Sequence, residues 1–177
     1  MPEHWSSESS ARAGLYTPEE RRRRDLSPWT TVQGGLAPIQ FLIFVVSLVL
    51  VLRYLVTGHG LYAANASVLM KTLALYTIMV TGSIWEKEVF GIWLFAKPFF
   101  WEDVFSFLVI ALHTWYVIAS FQGTMAPRDL MMIALAAYAA YLVNAVQFIL
   151  KLRAARLQEQ AMRMAADTRP MPQEAMA

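Results

Sequence analysis

Four long apolar stretches constrain the fold of this chain more than any other feature of its sequence. They cover residues 36–56, about 66–85, 101–121 and 130–150. A helix needs about 20 such residues to cross a hydrocarbon core, and a segment in lipid must satisfy its own backbone hydrogen bonds. The sequence therefore predicts an all-α integral membrane protein with four transmembrane helices.

The composition agrees with a membrane protein and excludes several chemistries. Of the 177 residues, 57% are hydrophobic and 16% are charged, against about 25% charged in a typical soluble domain. The absence of cysteine excludes a disulfide, a cysteine zinc site, an iron-sulfur cluster and a thioether-linked haem. A bis-histidine haem is disfavoured because His4 and His59 lie outside the predicted spans, which leaves only His113 inside them.

Lysine and arginine are distributed unequally between the two sides of the predicted membrane domain. The side that holds both termini and the loop between the second and third spans carries Arg12, Arg21, Arg22, Arg23, Arg24, Lys87, Lys97, Lys151, Arg153, Arg156, Arg163 and Arg169. The other side carries only Arg53 and Arg128. Since basic residues stay on the cytoplasmic side, we predict that both termini are cytoplasmic. A net charge of +2 gives no groove for nucleic acid, and we expect no such partner.

The composition also divides the chain into three regions. Residues 1–35 are predicted to form a cytoplasmic N-terminal segment with a short amphipathic helix, and residues 36–157 the membrane domain. Residues 158–177 are predicted to form a cytoplasmic tail that is partly disordered. The fourth helix is expected to begin at Pro127 and to continue past the membrane, because good helix formers follow the last apolar residue.

A short interfacial helix is predicted before the first span. Thr17, Pro18 and Glu20 match an N-cap, a first-turn proline and a capping box. We interpret the arginines at 21–24 as an anchor to anionic lipid, with steering of an acidic ligand as the alternative. The Gly-Gly pair that precedes Pro38 predicts a bend into the bilayer.

Two near copies of one phrase, WEKEVF and WEDVF, place carboxyl groups where the second and third spans meet. The four acids are Glu86, Glu88, Glu102 and Asp103. One interpretation is a solvated interfacial turn within a tryptophan belt, which we favour for Glu88 and its neighbour Lys87. The belt tryptophans are Trp85, Trp93 and Trp101. The other three acids adjoin those tryptophans, and ionisable groups held against lipid usually mark function.

The third span places polar groups on one face. Glu102, Ser106, Val109 and His113 recur at helical spacing, so that Glu102 and His113 point about 20° apart and lie about 16 Å apart along the axis. The two residues can hold two parts of one large ligand. His113 is alternatively a hydrogen-bond partner between helices. In the second span, Lys71 either extends to the membrane surface or pairs with a group of the third or fourth span.

With these residues in view, the chain resembles the 3-vinyl bacteriochlorophyllide hydratases, whose older name uses 2-vinyl. The resemblance covers about residues 15–157. The phrases that carry it are LYTPEERRRRD, WTTVQGGLAPIQF, KTLALYTIMVTGSIWEKEVFG, FFWEDVFSFLVIALHT and AAYLVNAVQF.

The resemblance implies addition of water to the C3-vinyl group of a magnesium tetrapyrrole, which gives a 3-(1-hydroxyethyl) product in bacteriochlorophyll synthesis. It implies no cofactor and no metal site, because the magnesium belongs to the substrate. The implied location is the inner, intracytoplasmic membrane of a bacterium. Partners are expected to be the bilayer and either a second copy of the chain or other enzymes of pigment synthesis.

Position and chemistry suggest roles for individual residues. Hydration needs an acid and a base, and we assign these to Glu86 and Glu102 in either order, with Asp103 orienting them or replacing one. The flat macrocycle needs an apolar slot with a few polar groups. The predicted substrate-binding residues are His113, Tyr76, Tyr138, Tyr141 and Asn144.

Two other functions fit parts of the pattern. A non-catalytic subunit that binds pigment or quinone, or assists assembly, needs the same slot but no acid pair. A transporter needs a continuous polar stripe through the bilayer, and the outer halves of the first and third spans are too apolar for one.

Overall fold

The fold consists of five helices and confirms the predicted all-α membrane architecture. The computed structural model describes residues 15–167, in which there is no strand. In chain order the helices are α1 (Pro18–Leu26), α2 (Pro28–Thr57), α3 (Leu61–Phe90), α4 (Phe100–Gln122) and α5 (Pro127–Asp167). Four of them, α2 to α5, are long and apolar enough to cross a membrane. Each contains one of the predicted spans.

The predicted capping box at the start of α1 is confirmed. The Thr17 hydroxyl accepts a hydrogen bond from the Glu20 amide at 3.3 Å, and the Glu20 carboxylate accepts one from the Thr17 amide at 2.8 Å. These bonds satisfy backbone donors that a helix start leaves unpaired. The cap thus fixes where α1 begins.

The first membrane helix begins earlier than predicted. It starts at Pro28 and continues as helix through Gly34, Gly35 and Pro38. A proline inside a helix removes one backbone hydrogen bond, but leaving the helical conformation near lipid exposes several more polar groups. The Gly-Gly-Pro segment, where we predicted a bend, therefore lies inside a continuous helix.

The four membrane helices form two hairpins, α2 with α3 and α4 with α5, which pack against each other less closely than the helices within each hairpin. The outer turn of the first hairpin uses Gly58 and Gly60, whose φ angles of 72° and 89° suit glycine. The loop at 91–99, called here the connecting loop, joins the hairpins. Relative placement of the hairpins therefore depends on side chains near that loop.

Hydrogen bonds between helices hold the interior. The Ser47 hydroxyl lies 2.7 Å from that of Ser67 and 2.5 Å from that of Tyr138, which links α2 to α3 and to α5. Tyr116 of α4 donates to Asn65 of α3 at 2.7 Å. Small hydroxyl and amide groups of this kind are typical of membrane helix contacts.

The C-terminal extension of α5 runs as predicted beyond the last apolar residues to Asp167. Residues 168–177, which are the second half of the predicted tail, lie outside the described residues, as do residues 1–14.

Removal of the N-cap tests the role assigned to Thr17. Thr17→Ala should weaken α1 by about 1 kcal/mol, or about fivefold in its opening equilibrium, because the Glu20 amide loses its acceptor. Hydrogen exchange of the α1 amides measures this. Thr77→Ala is the control, since that hydroxyl bonds back to Leu73 within α3. Equal exchange rates in α1 of both variants would contradict the prediction.

Candidate functional site

Three carboxyl groups lie together beside the connecting loop and form what we call the acid cluster: Glu86, Glu102 and Asp103. Glu86 comes from the last turns of α3, and the other two from the first turn of α4. All three are buried, with at most 5% of each residue exposed. The sequence prediction that these three acids come together, while Glu88 remains exposed, is confirmed.

Two acids bind the backbone of the connecting loop. Asp103 accepts a hydrogen bond from the Phe95 amide at 2.6 Å, and Glu86 accepts one from the Ala96 amide at 3.2 Å. Phe95 has a φ of 62°, which is rare for a residue with a side chain. Such a conformation costs of order 1–3 kcal/mol and persists only where the surroundings impose it. The two carboxyl groups are the hydrogen-bonding part of those surroundings.

The carboxyl groups of Glu86 and Asp103 accept hydrogen bonds from two consecutive backbone amides and therefore lie side by side, close enough to interact. Two ionised carboxylates have only acceptor atoms, so a hydrogen bond between them needs one shared proton. A shared proton at a buried pair is available for transfer to a ligand. The pair therefore has the chemistry of a general acid.

Glu102 differs because it has a cationic partner. Lys151 of α5 places its ammonium 2.5 Å from the Glu102 carboxylate and donates a second hydrogen bond to the Pro98 carbonyl. Sequence reasoning assigned Lys151 only to the set of cytoplasmic cations. A signal was present, since Lys151 follows Asn144 by two helical turns and so lies on the same face of α5.

Aromatic rings pack together near the connecting loop, and the Phe99 ring lies 5.1 Å from the Lys151 nitrogen that binds Glu102. Tyr16 stacks on Phe90 at 5.8 Å between centroids, and Phe99 stacks on Phe148 at 6.0 Å. Trp85 packs edge to face against Phe90 and Phe99 at 5.7 Å. The Lys151 ammonium therefore contacts both the Glu102 carboxylate and an aromatic face.

The three tryptophans of the predicted belt differ in exposure. Trp93 and Trp101 are exposed, but the Trp85 indole turns inward and donates a hydrogen bond to the Thr30 hydroxyl at 2.9 Å. The early start of α2 explains this difference, because it brings Thr30 beside the end of α3.

A second set of polar side chains lies deeper in the bundle. We call Lys71, His113, Tyr138 and Tyr141 the inner polar group. The His113 and Tyr138 rings lie 5.9 Å apart, and the Lys71 nitrogen lies 3.6 Å from the centre of the Tyr141 ring. The prediction that Lys71 pairs with a residue of another span, here the fourth, is confirmed.

The other predicted binding residues lie at the margins of these two sets. Asn144 donates to Ser106 at 2.8 Å, and both sit on the faces that connect the acid cluster with the inner polar group. Tyr76 bonds to Thr114 at 2.7 Å and bridges α3 to α4. The structure thus separates the predicted residues into an acidic end, a deep polar end and a connection between them.

Fold and site together define a four-helix membrane protein with a buried acid cluster at one end. The family model for 2-vinyl bacteriochlorophyllide hydratase matches residues 16–154. Two curated proteins named 2-vinyl bacteriochlorophyllide hydratase are similar. The one from Rhodobacter capsulatus is 64% identical over 86% of this chain and 89% of its own length. The one from Cereibacter sphaeroides is 65% identical over 83% of this chain and 91% of its own length.

The chain therefore belongs to the 2-vinyl bacteriochlorophyllide hydratase family. No solved structure matches it.

Removal of the cation beside Glu102 tests the ion pair. Lys151→Met should destabilise the protein by about 1–3 kcal/mol, because a buried carboxylate loses its partner. The midpoint of thermal unfolding in detergent measures the loss. Adding Glu102→Gln should recover part of it, since a neutral amide needs no cation. Lys87→Met, which removes an exposed lysine of α3, is the control, and an equal midpoint for both lysine variants would refute a stabilising ion pair.

Proposed function

We propose that this chain is a hydratase that adds water to the C3-vinyl group of a chlorophyllide or bacteriochlorophyllide and produces the 3-(1-hydroxyethyl) pigment. Membership of the family and the names of two close relatives support this function. The structural observation that carries it is the burial of Glu86, Asp103 and Glu102 together, with the first two held side by side by the connecting loop.

The reaction has two proton transfers and no redox change. A proton adds to the terminal vinyl carbon and leaves positive charge on the carbon next to the conjugated ring. Water attacks that carbon through its oxygen, and the oxonium formed loses one proton to a base. The sum is the addition of one water, so the reaction needs no cofactor, and the magnesium is part of the substrate.

The acid cluster supplies both an acid and a base. The shared proton of Glu86 and Asp103 serves as the proton donor, with Asp103 orienting Glu86. Glu102, whose carboxylate is already paired with Lys151, accepts the proton from water. Carboxyl groups in different surroundings commonly divide these roles in one site. The base returns the proton to the acid pair before the next turnover.

The rest of the substrate occupies the region between the hairpins. Tyr76, Tyr138 and Tyr141 offer aromatic surface to the macrocycle, and Asn144 offers its free side-chain oxygen. His113 directs its unpaired ring nitrogen inward, towards a substituent of the macrocycle. Entry between α3 and α4 is favoured because packing between the two hairpins is loose.

The proposed orientation puts the acid cluster near the cytoplasmic face of a bacterial inner membrane. The exposed Arg22 and Arg23 of α1 then face the headgroups of anionic lipid. Poor solubility of the product favours transfer to a following enzyme within the membrane, or between copies of this chain.

Cysteine labelling tests the orientation. The chain has no cysteine, so a maleimide can label only the one cysteine that is introduced in each variant. With a membrane-impermeant maleimide, Thr124→Cys in the α4–α5 turn should react in intact spheroplasts, and Lys97→Cys in the connecting loop only after permeabilisation. The opposite pattern would reverse the orientation.

Acid-to-amide substitutions test the chemistry. Membranes that contain the protein should add one oxygen-18 water to the vinyl group of a 3-vinyl chlorophyllide. The mass and the absorption spectrum of the pigment measure this addition. Glu86→Gln and Glu102→Gln should each lower turnover about 10²- to 10⁴-fold, because each removes one proton-transfer group.

Glu88→Gln is the matched control. Glu88 is an exposed residue on the same helix as Glu86, and its carboxylate accepts a hydrogen bond from Ser27 outside the acid cluster. Normal turnover in both Glu86→Gln and Glu102→Gln would reject the assigned roles. Pigment that binds wild-type protein but gains no label would instead support a non-catalytic pigment-binding subunit.

A further inference from the structure

The side chain of Lys71 is an unexplained feature of the bundle interior. The residue lies in the first half of α3 and has no exposed surface. Its amino nitrogen has no hydrogen-bond partner among residues 15–167. Burying a polar group without a partner is costly, and native proteins rarely leave one in that state.

His113 provides a second unpaired polar atom in the same place. Its Nδ1 lies 2.8 Å from the Val109 carbonyl, which only accepts, so Nδ1 carries the hydrogen. Nε2 of the fully buried ring then has no partner in the described part of the chain. Lys71 contacts the Tyr141 ring and His113 the Tyr138 ring, and these two tyrosines lie three residues apart on one face of α5. Two helices thus direct unpaired groups into one interior region.

The neighbouring side chains do not supply the missing hydrogen-bond partners of Lys71 and His113. The face of Tyr141 attracts a cation, but it does not replace hydrogen bonds to the N–H groups. The Tyr138 hydroxyl is engaged with Ser47. Within the described part of the chain no oxygen acceptor lies in hydrogen-bond distance of the Lys71 nitrogen, and a ligand can supply one.

Distance along the helices identifies which part of the ligand lies here. Glu102 and His113 are 11 residues apart on α4, or about 16 Å along its axis. On α5, Lys151 and Tyr141 are ten residues apart, or about 15 Å. These separations exceed the distance from the centre of a tetrapyrrole to its vinyl group plus one metal-ligand bond. A macrocycle with its vinyl group at the acid cluster therefore presents its opposite edge to the inner polar group, not its magnesium.

We propose that Lys71 recognises the macrocycle by donating a hydrogen bond to the ring ketone on the edge opposite the vinyl-bearing ring. The proposal rests on the proposed substrate class, whose members carry this carbonyl oxygen. An amine donates in either protonation state, and a ketone only accepts. Lys71 is then a specificity-determining residue, since its hydrogen bond fixes which of the four pyrrole rings reaches the acids.

The test compares two magnesium 3-vinyl chlorins, one with the ring ketone and one in which that carbon is a methylene. Binding to detergent-solubilised protein is measured from the shift in pigment absorption, and hydration is measured separately by oxygen-18 uptake. Wild-type protein should bind the ketone about 10- to 100-fold more tightly. Lys71→Met should lose this preference, whereas Lys97→Met, an equal change at an exposed lysine, should keep it.

Equal affinity of wild-type protein for the two pigments would overturn the proposal, and this comparison does not require the Lys71→Met variant to fold. Retention of the ketone preference in folded Lys71→Met protein would overturn it as well. The binding readout separates this proposal from the hydratase function. A ketone preference without label uptake would support recognition by Lys71 and reject hydration. Label uptake without a ketone preference would support hydration and reject recognition by Lys71.

Discussion

The hydrogen bonds from the connecting loop to Glu86 and Asp103 are the interaction on which the arrangement of the bundle depends. The loop is the covalent link between two hairpins that otherwise pack loosely. Its backbone amides bind one carboxyl group from each hairpin, so the loop conformation and the meeting of α3 with α4 are determined together. The unusual backbone angle of Phe95 is maintained by the same contacts. The residues that suit acid chemistry are thus also the ones that position the helices.

Most of the fold could be predicted from the sequence because the bilayer permits few alternatives. A run of apolar residues of sufficient length must be a helix, and this condition alone places α2 to α5. The cap at Thr17 is equally local, since all its hydrogen bonds lie within four residues. Helical period also predicted that Glu102 and His113 share a buried face. Each of these predictions depends on neighbours in the sequence.

The partners of the site could not be predicted in the same way. The ion pair of Glu102 with Lys151 spans 49 positions in the chain, and the bond of Trp85 to Thr30 spans 55. Such contacts depend on how helices pack, which periodicity does not specify. A cation near a membrane surface is also readily interpreted as a lipid contact, and for this reason the pairing of Lys151 with Glu102 was not predicted. The amides of Phe95 and Ala96 carry no side-chain signal at all.

The origin of Lys151 in the last helix has a consequence for biosynthesis. Chains emerge from the ribosome N-terminus first, so α3 and α4 enter the membrane before the segment that carries this lysine. Until α5 arrives, the carboxylate of Glu102 has no cation beside it, and an early insertion intermediate must keep the start of α4 near water. Completion of the acid cluster and its ion pair therefore coincides with the final insertion step. Truncated chains that end before α5 would remain incompletely inserted and open to quality-control proteases.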